Sequence, residues 1–305
     1  MAASSSSGNT TFAVTVHEYL PTSTSQRPSH AYEYSSSSAS NALVFIGGLG
    51  DGPHDVPYIR TIAASVSSLS YSVFEVRLSS AKSGWGYSSL EQDVDELTAF
   101  VRYLRQTLRK ENVVLMGHST GSQDCMEYLL RRKEEGVDVD GVILQGPVSD
   151  REAIGMEASS KDIETSVEWA RKMISEGRKD EIMPGDKFLN VFGHGPVTAY
   201  RWFSLAAKGG DDDYFSSDLS DEELARIWGR LDRGGARVLI VLSAEDEHVP
   251  KSVDIGKVVE RWKEAGGSAV SELSGFIPGA NHRVEKPEAQ EWLANRVARF
   301  LESLD

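Results

Sequence analysis

The stretch "VVLMGHSTGSQDCMEYLL", residues 113–130, constrains the fold more than any other part of this chain. Four apolar residues run without alternation into Gly117-His118-Ser119-Thr120-Gly121, and an apolar-striped segment follows. An unalternating run of that length suits a strand buried on both faces. Cys125 with Leu129 and Met126 with Leu130 are i,i+4 pairs, which predicts a helix over 119–133. A strand that turns sharply into a helix strains its turn residue and needs small neighbours on either side. The turn exposes the serine, and the helix N-terminus aims backbone N–H groups at the same point. A serine hydroxyl is a weak nucleophile, so such a turn is useful only where a base lies within reach.

Other segments extend the same pattern. Residues 1–10 are Ser-rich, a composition that predicts disorder. "TFAVTVHEYL" (11–20) and the segment around "AYEY" predict a β-hairpin. "NALVFIGGLGDG" and "YSVFEVRL" (71–78) read as buried strands. Leu90, Val94, Leu97, Val101, Leu104 and Leu108 mark one face of a long helix, with Ser88 and Glu91 spaced for a capping box at its start. "GVILQG" (141–146) is another strand. Residues 151–236 change character, to charged helices and loops with scattered aromatics. "RVLIVLSAEDEHVP" (237–250) restores the buried-strand pattern, and "AVSELSGFIPGANH" holds a last short strand and loop. A terminal helix carries Leu293, Val297, Phe300 and Leu301 on one stripe. Strands alternating with helices predict an α/β fold with a mostly parallel sheet. The expected core is 11–150 with 237–305, and 151–236 is an inserted helical cap.

Composition narrows the function. The 305 residues, 40% of them hydrophobic, suffice for one large core. A formal charge of −14 disfavours nucleic acid and anionic membrane surfaces as partners. The single cysteine, Cys125, excludes an intramolecular disulfide and a Cys-rich metal site, and reads as a small buried residue. The N-terminus has neither the basic nor the apolar region of a secretory signal, and no apolar run approaches the ~20 residues that span a bilayer. The expectation is a cytoplasmic protein.

A nucleophilic Ser119 needs three companions. A second oxyanion donor has to come from an earlier strand-end loop; in "VFIGGLGDG" the Leu49 N–H would pair with that of Thr120. An acid has to follow a later strand. Glu245, Asp246 and Glu247 are candidates, and Asp246 is preferred for its place in an Asp-x-x-Val-Pro pattern familiar from serine hydrolases; Asp150 is the alternative. A histidine has to lie in a loop after the last strand, and His282 in "GFIPGANHRVEKP" does. His248 is too near Asp246 in sequence to take its hydrogen bond easily. His118 is expected to point away from the nucleophile. His17, His30, His54 and His194 are expected to serve structure, or to line the pocket at most.

The order Ser119, Asp246, His282 is that of the α/β-hydrolase triad. "GGLGDG", "GHSTG", "SAEDEHVP" and "GANH" together resemble that superfamily over residues 40 to 305. More narrowly, "LVFIGGLGDGP", "SGWGYSSLEQDVDEL" and "VVLMGHSTGSQD" resemble the fungal siderophore esterases, which act on fusarinine C and its acetylated relative. The resemblance implies cytosolic hydrolysis of a cyclic hydroxamate triester, which opens the ring and helps release iron. Iron would arrive with the substrate, so no cofactor and no protein metal site are expected. The partner implied is a small-molecule ester, with ferric siderophores as the candidates. Trp85 and Tyr87, and Trp202 in the cap, are expected at the pocket. The acids of "DDDYFSSDLSDEEL" could draw amines, although Ser220 and Glu223 are spaced for a capping box. Two other readings stand beside this one: a general carboxylesterase or acyltransferase, and a ligand receptor on a hydrolase scaffold.

Overall fold

Strand β3 (Asn41–Ile46) shows why the apolar runs do not alternate. Its Ala42, Val44 and Ile46 enter the hydrophobic cluster on one sheet face, while Leu43 and Phe45 enter the cluster on the other. Successive strand side chains point to opposite faces, so a sheet covered on both sides needs apolar residues at every position. Strands β4 (Tyr71–Val76), β5 (Val113–His118) and β6 (Gly141–Gln145) are buried throughout, and β7 (Arg237–Ser243) beyond its first residue.

The computed structural model describes residues 11–21, 27–34, 38–131, 137–189, 191 and 195–304. The Ser-rich stretch 1–10, His194 and the expected end of the helix at 132–133 lie outside them. With β1 (Thr15–Tyr19), β2 (Ser29–Glu33) and β8 (Gly275–Ile277), the described strands form one eight-stranded sheet in the order β1-β2-β4-β3-β5-β6-β7-β8. The β1–β2 hairpin and the β2–β4 pair are antiparallel; every later pair is parallel. Helices α1 (Ile59–Val66) and α9 (Pro287–Glu302) cover one face, using Ile59, Ile62, Leu293 and Val297. Helices α2 (Leu90–Gln106), α3 (Gly121–Arg131) and α8 (Ile255–Gly266) cover the other, using Leu97, Phe100, Met126 and Trp262. Cys125 is buried there as a free thiol.

The cap of α2 differs from the expected one by a residue. Ser89 is the N-cap, its hydroxyl accepting from the Gln92 N–H at 3.1 Å, while the Ser88 hydroxyl donates to Asp93 at 3.2 Å.

Between β6 and β7 lie α4 (Asp150–Glu157), α5 (Ser160–Ser175), α6 (Ala199–Ala206) and α7 (Asp221–Ile227). Helices α5 and α6 build a third core from Val167, Ala170, Met173, Trp202 and Leu205, which Trp85 and Ile154 join. From about residue 214 the chain departs from the expectation of a cap running to 236. Tyr214, Phe215, Leu224, Trp228 and Leu231 join the α8 face of the sheet, where the Trp228 and Trp262 rings stack 5.4 Å apart. The acids of 211–224 are largely used within the chain. Ser220 and Glu223 form the capping box of α7, Asp213 and Asp218 pair with Arg151, and Asp221 pairs with Arg261.

Parallel order brings the C-terminal ends of β3, β5, β7 and β8 to one edge of the sheet. The loops leaving them carry Leu49, Ser119, Asp246 and His282. That edge is where open α/β sheets bind ligands.

Candidate active site

Ser119 follows the last residue of β5 and has φ +52°, a left-handed conformation that costs a non-glycine residue about 1–2 kcal/mol. Its amide donates to the Gln145 carbonyl at 2.9 Å, which ties the turn to β6. The turn closes only because its neighbours lack side chains. A Cβ on Gly117 would run into the Gly121 carbonyl, and one on Gly48 would lie 2.8 Å from the Ser119 Cβ. The second contact shows how closely the loop after β3 approaches the serine. Among the described residues, no protein acceptor takes the Leu49 or Thr120 amide.

His282 and Asp246 form a tight pair. The imidazole Nδ1 lies 2.8 Å from Asp246 Oδ2, with both side chains almost wholly buried. The His282 amide also donates to Glu247 at 2.8 Å, and the His248 amide to Asp246 Oδ1 at 3.0 Å. The two bonds made by His282 fix the loops after β7 and β8 against each other. His282 lines a cavity of about 570 Å³ together with Ser119, Leu49, Trp85, Asp150 and His248.

Several expected positions fall elsewhere. Tyr87 is 53% exposed and outside the cavity wall, because the backbone turns between it and Trp85. Trp202 is fully buried between α5 and α6, its Nε1–H donating to Ser166 at 2.9 Å, so it pins the cap and does not reach the cavity. His118 also departs from expectation. It lines the cavity and packs its ring 4.9 Å from that of His282. On its far side Gln145 Oε1 accepts from His118 Nδ1 and from the Tyr58 hydroxyl, both at 2.6 Å. Burial holds the His118 imidazole well below its usual pKa, so it stays neutral. His248 packs edge-on against His282 at 4.6 Å, and partial burial lowers its pKa as well. His282 is thus held between two imidazoles.

Asp150, the alternative acid, lines the cavity but accepts from the Gln123 side chain at 2.6 Å. Burial pushes its carboxyl up to about 8. Among the described residues the other histidines lie away from the cavity wall: His17 pairs with Glu33, His30 with Glu18 and His54 with Glu75. Two residues that sequence reasoning missed join the loops. Asp51 accepts from the Gly48 amide and from Arg283 Nη1, both at 3.0 Å. They sit two positions after Leu49 and one after His282, and that adjacency is the only signal the sequence offers for them.

A strained strand-to-helix turn at Ser119 after β5, a buried Asp–His pair after β7 and β8, and a Gly-rich loop after β3 on a mostly parallel sheet define an α/β hydrolase. The chain belongs to the family described as "Protein of unknown function (DUF1749)", whose model matches residues 1–302. A UPF0613 protein of Schizosaccharomyces pombe is 34% identical over 276 residues, 86% of this chain and 87% of that protein. The fusarinine C esterase sidJ of Aspergillus fumigatus is 31% identical over 316 residues, 87% of this chain and 89% of that one. Among solved structures, the siderophore hydrolase EstB from Aspergillus fumigatus superimposes with a TM-score of 0.80 at 28% identity, covering 96% of this chain and 98% of that one. Fold and relatives together make this chain a carboxylic ester hydrolase. Among the described residues no helix is long and apolar enough to cross a membrane.

Proposed function

We propose that Ser119, His282 and Asp246 form a catalytic triad that hydrolyses the ester bonds of a hydroxamate siderophore of the fusarinine type. The observation that carries the chemistry is the 2.8 Å His282–Asp246 pair, whose imidazole lines one cavity with a strained Ser119. In this reading Ser119 Oγ attacks the ester carbonyl carbon while His282 Nε2 takes its proton. Asp246 holds the Nδ1–H tautomer and stabilises the imidazolium. The Leu49 and Thr120 N–H groups donate to the oxygen that becomes negative. The C–O bond then breaks, and His282 returns the proton to the departing alkoxide. Water, deprotonated by His282, attacks the acyl-serine; the acyl–Oγ bond breaks, His282 returns that proton to Ser119 Oγ, and the acid leaves. The ferric ion travels as cargo of the substrate, and ring opening in the cytosol helps its release. The substrate class is supported by the two Aspergillus relatives, whose names place them on fusarinine C and on siderophores.

The test is mass spectrometry of products after incubating ferric fusarinine C with the wild-type protein and with Ser119→Ala. Ring-opened and monomeric products with wild type alone are expected, with kcat falling on the order of 10⁶-fold in the variant. An intact ring with wild-type protein that still labels with a fluorophosphonate would discard the siderophore substrate and keep the serine chemistry.

A further inference from the structure

A second, small cavity of about 20 Å³ shares Gly48, Leu49 and Trp85 with the substrate cavity. Its remaining wall includes Thr120, Asp93, Asp124 and Arg201. Both candidate oxyanion donors, Leu49 and Thr120, therefore border a space walled by charged side chains.

Arg201 on α6 is buried, donating Nε–H to the Trp85 carbonyl at 3.2 Å and Nη1–H to Asp212 at 2.6 Å. Four buried carboxyls gather near it: Asp93 from α2, Asp124 from α3, Asp150 from α4 and Asp212 from the segment after α6. Farther out, Glu96 of α2 accepts from the Ser79 amide, and Glu127 of α3 pairs with Arg131 and the Tyr214 hydroxyl. One guanidinium cannot balance four ionised carboxylates away from water, so the group folds with some of them neutral. Asp124 Oδ1 and Asp212 Oδ1 both lack a hydrogen-bond partner among the described residues, so the cluster holds more acceptors than donors.

We propose that the cluster around Arg201 sets the charge beside the oxyanion hole, and that protons held by Asp93, on the wall of the small cavity, and by Asp150, on the wall of the substrate cavity, keep that charge from turning negative. This inference rests on the serine mechanism above. Burial pushes the Asp93 carboxyl up to about 7 and the Asp150 carboxyl up to about 8. Below those values Arg201 favours the negative oxygen of the tetrahedral intermediate. Above them two new negative charges oppose it, and acylation slows.

The experiment is kcat/KM for p-nitrophenyl acetate from about pH 6 to about pH 9.5. It compares wild type, Asp93→Asn, Asp150→Asn and the double variant, with thermal melting to check folding. The wild-type rate should fall on the order of tenfold between about pH 7 and about pH 9, the effect of a unit charge at short range in a partly buried site. Each single variant should lose part of that fall, and the double variant nearly all of it. A purely structural role would change the melting temperature or the plateau rate and leave the shape of the profile unchanged. Should the double variant not fold, the single variants decide the question. A flat wild-type profile, or variants with the wild-type fall, would overturn the proposal alone. A wild-type protein that neither turns over the ester nor labels with a fluorophosphonate would overturn the serine mechanism and this inference with it.

Discussion

Asp246 pairs with His282 and Asp150 lines the same cavity as His282 and Ser119, and their partners tell the two acids apart. Asp246 faces the imidazole Nδ1, whereas Asp150 faces an amide of Gln123. Asp246→Asn is expected to lower kcat about 10⁴-fold, since an amide favours the wrong histidine tautomer. Asp150→Asn should cost less than about tenfold at pH 7, where its buried carboxyl already holds a proton. Steady-state kinetics on a chromogenic ester separate the two. At this scale the sequence shows which loops can carry a nucleophile, an acid and a base, because each follows an apolar run in a fixed order. It does not show where a side chain at a strand end points. His118 is the example: its ring bonds to Gln145 and packs against His282.

Apolar runs locate the strands because a two-sided sheet demands them, and the 3.6-residue stripes locate α2 and α9. Sheet order is less legible. β4 lies between β2 and β3, a placement that depends on the crossover through α1 and not on any pattern within the strands. The extent of the cap is also hidden, since aromatics that pin α5 to α6 and aromatics that fill the α8 face have the same composition. Trp202→Ala tests the first group. Removing this buried ring and its bond to Ser166 should destabilise the protein by about 3–5 kcal/mol. Tyr87→Ala, at an exposed position, should stay within about 0.5 kcal/mol. Chemical denaturation of both variants gives the comparison.

For the whole molecule, the buried carboxyls tie stability to pH with an unusual sign. Folded Asp93 and Asp150 hold protons to about pH 7 and about pH 8, whereas the unfolded chain releases them near 3.8. Between those limits the native state binds more protons, so their contribution is complete below about pH 4 and is lost as pH rises through the folded values. The melting temperature of Asp93→Asn or Asp150→Asn should therefore exceed that of wild type by a few degrees at pH 8.5, with the gap closing toward pH 4. Melting curves across that range check it; a gap of the same size at both ends would mean that the asparagine acts through packing. The clasp between Asp51 and Arg283 joins residues 232 positions apart. During synthesis on the ribosome the loop with Leu49 and the turn with Ser119 emerge early, whereas His282 and the clasp arrive only with the loop after β8. Under the proposed mechanism, a chain made only through α3 displays a nucleophile that nothing can activate, and hydrolytic competence waits on that late loop.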